Sequence, residues 1–217
     1  MKRIRVKFCG ITSKEDAEKA VALGVDALGF IFFKDSPRYV TPDEAGEIIK
    51  DLPPFVDSVG IFVNEDIDFV EDCIEQCGLN VVQLHGDEDV DYCQSFASLK
   101  FVRGTKLIKA IRVKDESSLR AIESCPADAI LLDTYKSNFY GGTGKTFDTT
   151  LALLAREYGR RLILAGGLNP SNVHDVILEA KPYAVDVSSG IEASPGKKND
   201  ELMEEFINEV RRAEQSL

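Results

Sequence analysis

The sequence predicts a (β/α)8 barrel, eight parallel strands closed into a cylinder and ringed by helices. Three observations carry that reading. Short apolar runs rich in β-branched residues recur eight times along the 217 residues, and helical patterns come between and after them. The runs are apolar on both faces, as expected of a parallel sheet covered by helices. The length lies near the lower end of the range for eight strand–helix units; an open, doubly wound sheet is the alternative.

Taken in order, strands are expected at residues 4–8, 27–32, 58–63, 81–85, 107–113, 129–133, 162–165 and 184–187. Helical patterns begin with SKEDAEKAVALG from Ser13 and TPDEAGEIIKDL from Thr41, then run near 67–77 and, more weakly, near 90–97. They continue as DESSLRAIESC, DTTLALLAREYG, NPSNVHDVILEA and ELMEEFINEVRRAEQ. Thr41 is an N-cap with Pro42 at the first helical position and Glu44 completing a capping box. Asn169-Pro170 repeats the cap-then-proline pattern, and Gly24, Gly78 and Gly159 fall where helices end in a left-handed residue. The segment 92–106 is the hardest to divide into helix and connection. No linker, repeat or break in composition interrupts the chain, so residues 1–217 are expected to form one domain.

Composition narrows the function classes. With 26 basic and 37 acidic residues the formal charge is −11, which argues against a general nucleic-acid or anionic-membrane binder. It leaves room for a local basic pocket. No apolar run approaches the roughly 18 residues of a membrane span, and no apolar stretch of a secretory signal backs the basic start MKRIRVKFCG. Five cysteines without framework spacing read as free thiols in a reducing cytoplasm. Cys73 and Cys77 share a helix face, but too few other ligands accompany them for a metal site, and none is expected.

In a barrel of this kind the chemistry sits at the C-terminal strand ends. Ala165-Gly166-Gly167 and Ser188-Ser189-Gly190 end strands seven and eight, where such barrels often bind phosphate; the plainer reading is two tight turns. Arg38, in SPRYV beyond strand two, offers a fork for a carboxylate or phosphate, against a solvated surface arginine. The run Gly141-Gly142-Thr143-Gly144-Lys145-Thr146 looks like the end of a nucleotide P-loop. That pattern needs a glycine where Phe139 stands, so the loop is read as a closing flap over a ligand.

Asp133 closes AILLD and is a helix cap, an orienting group or a general acid. Cys9, in KFCGIT, is a packed hydrophobe or a base. Strand alternation puts Lys7 and Cys9 on one face. The ammonium and the first helix N-terminus are expected to lower the thiol pKa towards neutrality, while a partly apolar site keeps Asp133 protonated. His85, ending VVQLH, either lines the pocket or satisfies a loop carbonyl.

Together, KFCGIT, GFIFFKDSPRYVT, VQLHGDE, LLDT, GGTGKTFD, AGGLNPSNV and DVSSGIEASPGKKN resemble the phosphoribosylanthranilate isomerase family of tryptophan biosynthesis, in order from Lys7 to Asn199. The resemblance implies a (β/α)8 fold, no cofactor, a small phosphorylated substrate and an Amadori rearrangement. It implies Cys9 as general base, Asp133 as general acid and Arg38 as the clamp on the anthranilate carboxylate. It also implies Gly166, Gly167, Ser189 and Gly190 around the phosphate, with Asp186 near the sugar hydroxyls and His85 matching a family histidine. A monomer or homodimer in the cytoplasm, without nucleic-acid or membrane partners, is expected. Two other readings compete: another phosphosugar isomerase on the same barrel, and a non-catalytic phosphate-binding barrel. Cys9 in place of a strand-one aspartate opposes the histidine-pathway isomerase. Cys9, Asp133 and Arg38 together oppose the silent barrel.

Overall fold

A computed structural model describes residues 3–133 and 149–217. Each apolar run becomes a strand: β1 Arg5–Cys9, β2 Ala27–Ile31, β3 Asp57–Phe62, β4 Val81–Leu84, β5 Lys106–Arg112, β6 Ala129–Asp133, β7 Leu162–Ala165 and β8 Ala184–Val187. Each pairs in parallel with the next, and β8 closes on β1, giving the expected barrel. Between them lie α1 Lys14–Leu23, α2 Pro42–Ile49, α3 Ile67–Cys77, α4 Val90–Arg103, α5 Ala121–Ser124, α6 Thr149–Arg156 and α7 Val173–Ala180, with α8 Asp200–Gln215 closing the ring.

Alternation along the strands separates two apolar cores. One, inside the barrel, includes Cys9, Val59, Ile61, Ile108, Leu131 and Ile163. The other, between barrel and helices, includes Phe8, Phe30, Phe62, Ile130 and Val185. The two thiols of α3, Cys73 and Cys77, face this outer core; burial pushes them up to about 12 and about 11 respectively. Among the described residues no cluster of His, Cys, Asp or Glu is built to hold a metal, and no helix is long and apolar enough to cross a membrane.

The Thr41 cap read from sequence holds, and α1 has a side-chain cap as well. The Ser13 hydroxyl accepts from the Asp16 N–H, and Thr41 and Glu44 form the reciprocal capping box. Gly24, Gly78 and Gly159 all have positive φ. Three expectations fail. The Asn169 side-chain oxygen accepts from the Ser171 N–H and hydroxyl in a local turn, so α7 begins at Val173, after Asn172. The fifth helical pattern is mostly a 3-10 turn, Glu116–Arg120, capped by Asp115, with only four α-helical residues after it. The weak fourth pattern is longer than expected, running to Arg103. The 135–146 flap lies outside the described residues.

After β8 the chain makes a 3-10 turn, Ser189–Ile191, and a small antiparallel hairpin of β9 Glu192–Ser194 and β10 Lys197–Lys198. The Pro195-Gly196 pair supplies its turn. This hairpin returns over β1 and shapes the site.

Candidate active site

The proposed site residues lie around the C-terminal mouth of the barrel, in two clusters. The first is built on β1 and β8. Lys7 and Asp186 are register partners, and the buried Lys7 Nζ reaches both Asp186 carboxylate oxygens at 3.0 Å. Cys9 stands two residues on, on the same inward face, opposite Gly29 of β2. A Cβ at Gly29 would sit 3.0 Å from the Cys9 sulfur, so the glycine leaves the thiol its space.

The expected charge state of Cys9 is overturned. Burial pushes the thiol pKa above its ordinary value, more than Lys7 and Lys198 pull it down, while Asp186 pushes it further up. Lys7 spends its charge on Asp186. Burial opposes the ammonium, yet the carboxylate holds the Lys7 pKa above the usual range.

The returning hairpin adds two groups that the sequence reading left out. The Lys198 ammonium, fully buried, donates to the Cys9 carbonyl at 2.6 Å, the Ser188 carbonyl at 3.3 Å and Glu192 at 2.9 Å. Asp16 on α1 accepts the Lys198 backbone N–H at 3.1 Å and fixes the strand end. Glu192 also receives the Arg38 fork, Nε at 2.8 Å and the terminal nitrogen at 2.6 Å. In this structure the Arg38 guanidinium therefore already faces a carboxylate of its own chain. Burial alone would raise the Glu192 pKa; Arg38 and Lys198 together hold it below its ordinary value. Lys198 has lost all its water, and burial lowers its pKa despite Glu192.

The second cluster joins β4 and β6. His85, just past β4, places Nε2 3.3 Å from an Asp133 carboxylate oxygen, and its Nδ1 lies 2.8 Å from the Gln83 amide nitrogen. On the helix-facing side of β5, Lys109 donates to the Gly86 carbonyl at 2.9 Å and to buried Glu88 at 2.7 Å. Burial would raise the Glu88 pKa, but Lys109 and backbone N–H groups keep it low, so this ion pair fastens the loop carrying His85.

The glycines expected at the phosphate are shaped by backbone demands. Gly166 and Gly167 both adopt positive φ, 88° and 73°. Gly190 packs so tightly on the preceding loop that a Cβ would fall 1.9 Å from the Leu168 carbonyl oxygen. Ser189 is exposed beside it. These two loops thus interlock at the mouth. A cavity of about 410 Å³ opens instead at the N-terminal mouth, among Arg5, Asp57, Lys106, Arg161 and Tyr183. The groups suited to proton transfer are at the other end.

A closed barrel with a thiol, a carboxyl–imidazole pair and an arginine fork around one C-terminal mouth has the layout of a (β/α)8 enzyme. The comparisons narrow the class. Residues 6–209 match the family described as N-(5'phosphoribosyl)anthranilate (PRA) isomerase. The N-(5'-phosphoribosyl)anthranilate isomerase of Geobacter sulfurreducens is 50% identical over 208 residues, covering 96% of this chain and 98% of that one. A phosphoribosylanthranilate isomerase solved with reduced 1-(o-carboxyphenylamino)-1-deoxyribulose 5-phosphate superposes with a TM-score of 0.84 at 41% identity, covering 96% of this chain and 99% of its own. Monomers generated from the dimeric Thermotoga maritima isomerase superpose with the same TM-score, 0.84, at 40% identity, with 96% and 99% coverage. The chain belongs to the phosphoribosylanthranilate isomerase family.

Proposed function

We infer that the chain isomerises N-(5'-phosphoribosyl)anthranilate to 1-(2-carboxyphenylamino)-1-deoxyribulose 5-phosphate, an intramolecular oxidation–reduction of tryptophan biosynthesis. Family membership supports the reaction. One observation carries the assignment of roles: Cys9 and Asp133 end β1 and β6 around a single mouth.

In this reading Asp133 gives its proton to the ribose ring oxygen. The C1–O bond breaks and the anthranilate nitrogen lone pair forms a C1=N Schiff base. The Cys9 thiolate then removes the C2 proton, and the electron pair flows into C1=C2 to give an enolamine. Tautomerisation yields the ketone. The Schiff base is the electron sink, so the substrate itself supplies what a cofactor would. Asp186 keeps acceptor capacity beyond its two contacts with Lys7 and takes the sugar hydroxyls. Arg38 turns part of its fork to the anthranilate carboxylate, and the loops at Gly166, Gly167, Ser189 and Gly190 hold the phosphate. Anchors at both ends keep C2 within reach of the base.

Loss of anthranilate fluorescence on adding the protein to freshly made substrate is the expected result. A flat trace with folded protein would sink the reading, and would favour the silent phosphate-binding barrel. One domain, 1–217, suffices for this chemistry, and the five thiols without a disulfide favour the cytoplasm as its place.

A second copy of the chain is the partner this reading favours. The Thermotoga maritima relative is described as dimeric. In the present chain Phe55 is 96% exposed and borders the cavity at the N-terminal mouth, away from the site.

A further inference from the structure

We propose that Gln83 is a positioning residue for the isomerisation, acting through His85 to match the imidazole tautomer to the protonation state of Asp133. The proposal rests on Asp133 being the general acid.

Gln83 is out of place by composition. Alternation along β4 puts Val81, Gln83 and His85 on the inner face, and the register partners of Gln83 are Ile61 and Ile108. It is 0% exposed inside the barrel, between two apolar register partners. An amide placed there loses hydration, which a methionine of similar length would not. Its nitrogen has one partner, His85 Nδ1 at 2.8 Å. Its oxygen, equally buried, has none among the described residues. A purely structural amide would be expected to use both ends.

An amide is the neutral side chain that offers a donor or an acceptor from nearly the same place, by a half-turn of its last torsion. That matches the choice His85 faces. With the Gln83 N–H donating to Nδ1, the imidazole proton is on Nε2 and donates to the Asp133 carboxylate, 3.3 Å away. With the amide turned, the Gln83 oxygen accepts an Nδ1–H. Nε2 then carries a lone pair and accepts from a protonated Asp133. The first arrangement suits the acid after it has given its proton, the second suits the acid loaded; between them one proton leaves Nδ1 to solvent and one is taken from solvent at Nε2, which the partly exposed His85 side chain allows. A methionine or leucine at this place would leave Nδ1 unpaired and the tautomer unspecified.

An ion pair on the outer face of the sheet holds the loop that follows the relay. Glu88 and Lys109 pin the loop immediately after His85, through Gly86. The imidazole position is thereby held while the proton positions change.

The test uses the two histidines of the chain, His85 and His174. In the folded, ligand-free wild type, 15N spectra assigned with a His174→Gln variant should show His85 with one pyrrole-type and one pyridine-type nitrogen. Two averaged signals would overturn the proposal without reference to any Gln83 variant or to catalysis. Gln83→Met should lower kcat by about 10- to 100-fold with KM within about twofold, the range seen when a group orienting another is removed. The same substitution made on His85→Gln should cost less than about twofold, because the relay is already broken. Equal losses in both backgrounds would show Gln83 to be packing only. An active Asp133→Asn variant would refute the acid assignment, leaving the tautomer result to stand or fall separately.

Discussion

Arg38 and Glu192 face each other through two parallel contacts, 2.8 and 2.6 Å, across 154 positions of sequence. The carboxylate is also the counter-charge of the fully buried Lys198 ammonium. Replacing Glu192 by Gln strands two cations, one without water. Losing one partner of a buried pair costs about 3–5 kcal/mol, and the half-open Arg38 side places this case at about 3. Urea unfolding at pH 7 should show that loss.

The same pair predicts an acid limb. The Glu192 carboxyl is held below its ordinary value of 4.5, so its stabilisation is complete above that value and fades as pH falls through the folded-state value. The difference between wild type and Glu192→Gln should therefore shrink below about pH 4.5. A constant difference down to the acid transition would remove Glu192 as the titrating group.

Cys9 predicts the opposite limb. Burial raises its pKa, so the thiolate fraction grows only on the alkaline side of neutrality. kcat/KM should rise with pH above neutral, and Cys9→Ser should abolish turnover. Lys7→Met removes an ammonium that favours the thiolate and unmasks Asp186, which disfavours it. The alkaline limb should move to higher pH in that variant. A limb that stays in place assigns the titration to another group.

Local pattern is sufficient for the face that a strand residue takes and for the start of a capped helix. Cys9 and Lys7 share a face because alternation is a property of five consecutive residues, and the Thr41 capping box spans four. The thiol charge state is not legible locally, because desolvation sums contributions from residues on several strands, which no neighbour of Cys9 in sequence reports. Lys198 was missed for a related reason. Its contact with the Cys9 carbonyl spans 189 positions and depends on the hairpin that returns it. The IEASPGKK run carries the hint, a turn flanked by opposite charges. Gln83 shares the His85 face by parity, yet no sequence pattern marks its amide as acting on the imidazole. α7 starts late because asparagine caps and asparagine turns use the same side-chain oxygen, and only the geometry separates Asn169 from Asn172.

Asp133→Asn keeps the shape of the strand end and the contact with His85 while removing the proton to be donated. Turnover should fall by at least about 100-fold, the low end for a general acid. Calorimetric binding of the reduced product analogue should change by less than about threefold, as expected when a group acts in the transition state and not in ground-state binding. Near-normal turnover would take Asp133 out of the acid role.

Gly190→Ala tests the interlocked loops. The new Cβ would fall on the Leu168 carbonyl oxygen, a backbone atom that cannot swing aside, so the two loops must separate. KM should rise at least about tenfold, corresponding to about 1.4 kcal/mol of lost binding. Added inorganic phosphate should inhibit the variant more weakly than wild type. An unchanged phosphate inhibition constant would place the phosphate elsewhere.

Phe55→Lys tests the second copy. The side chain is almost wholly exposed and makes little contribution to the fold, so the melting temperature of an isolated monomer should stay within about 0.5 kcal/mol equivalent of wild type. If the N-terminal mouth is a self-association face, wild type should run as a dimer by light scattering and Phe55→Lys as a monomer at the same concentration. The dimer should then also melt higher as its concentration increases, because association binds the folded state alone. A wild type that scatters as a 23.9 kDa monomer at all concentrations would leave the exposed phenyl ring an ordinary surface residue.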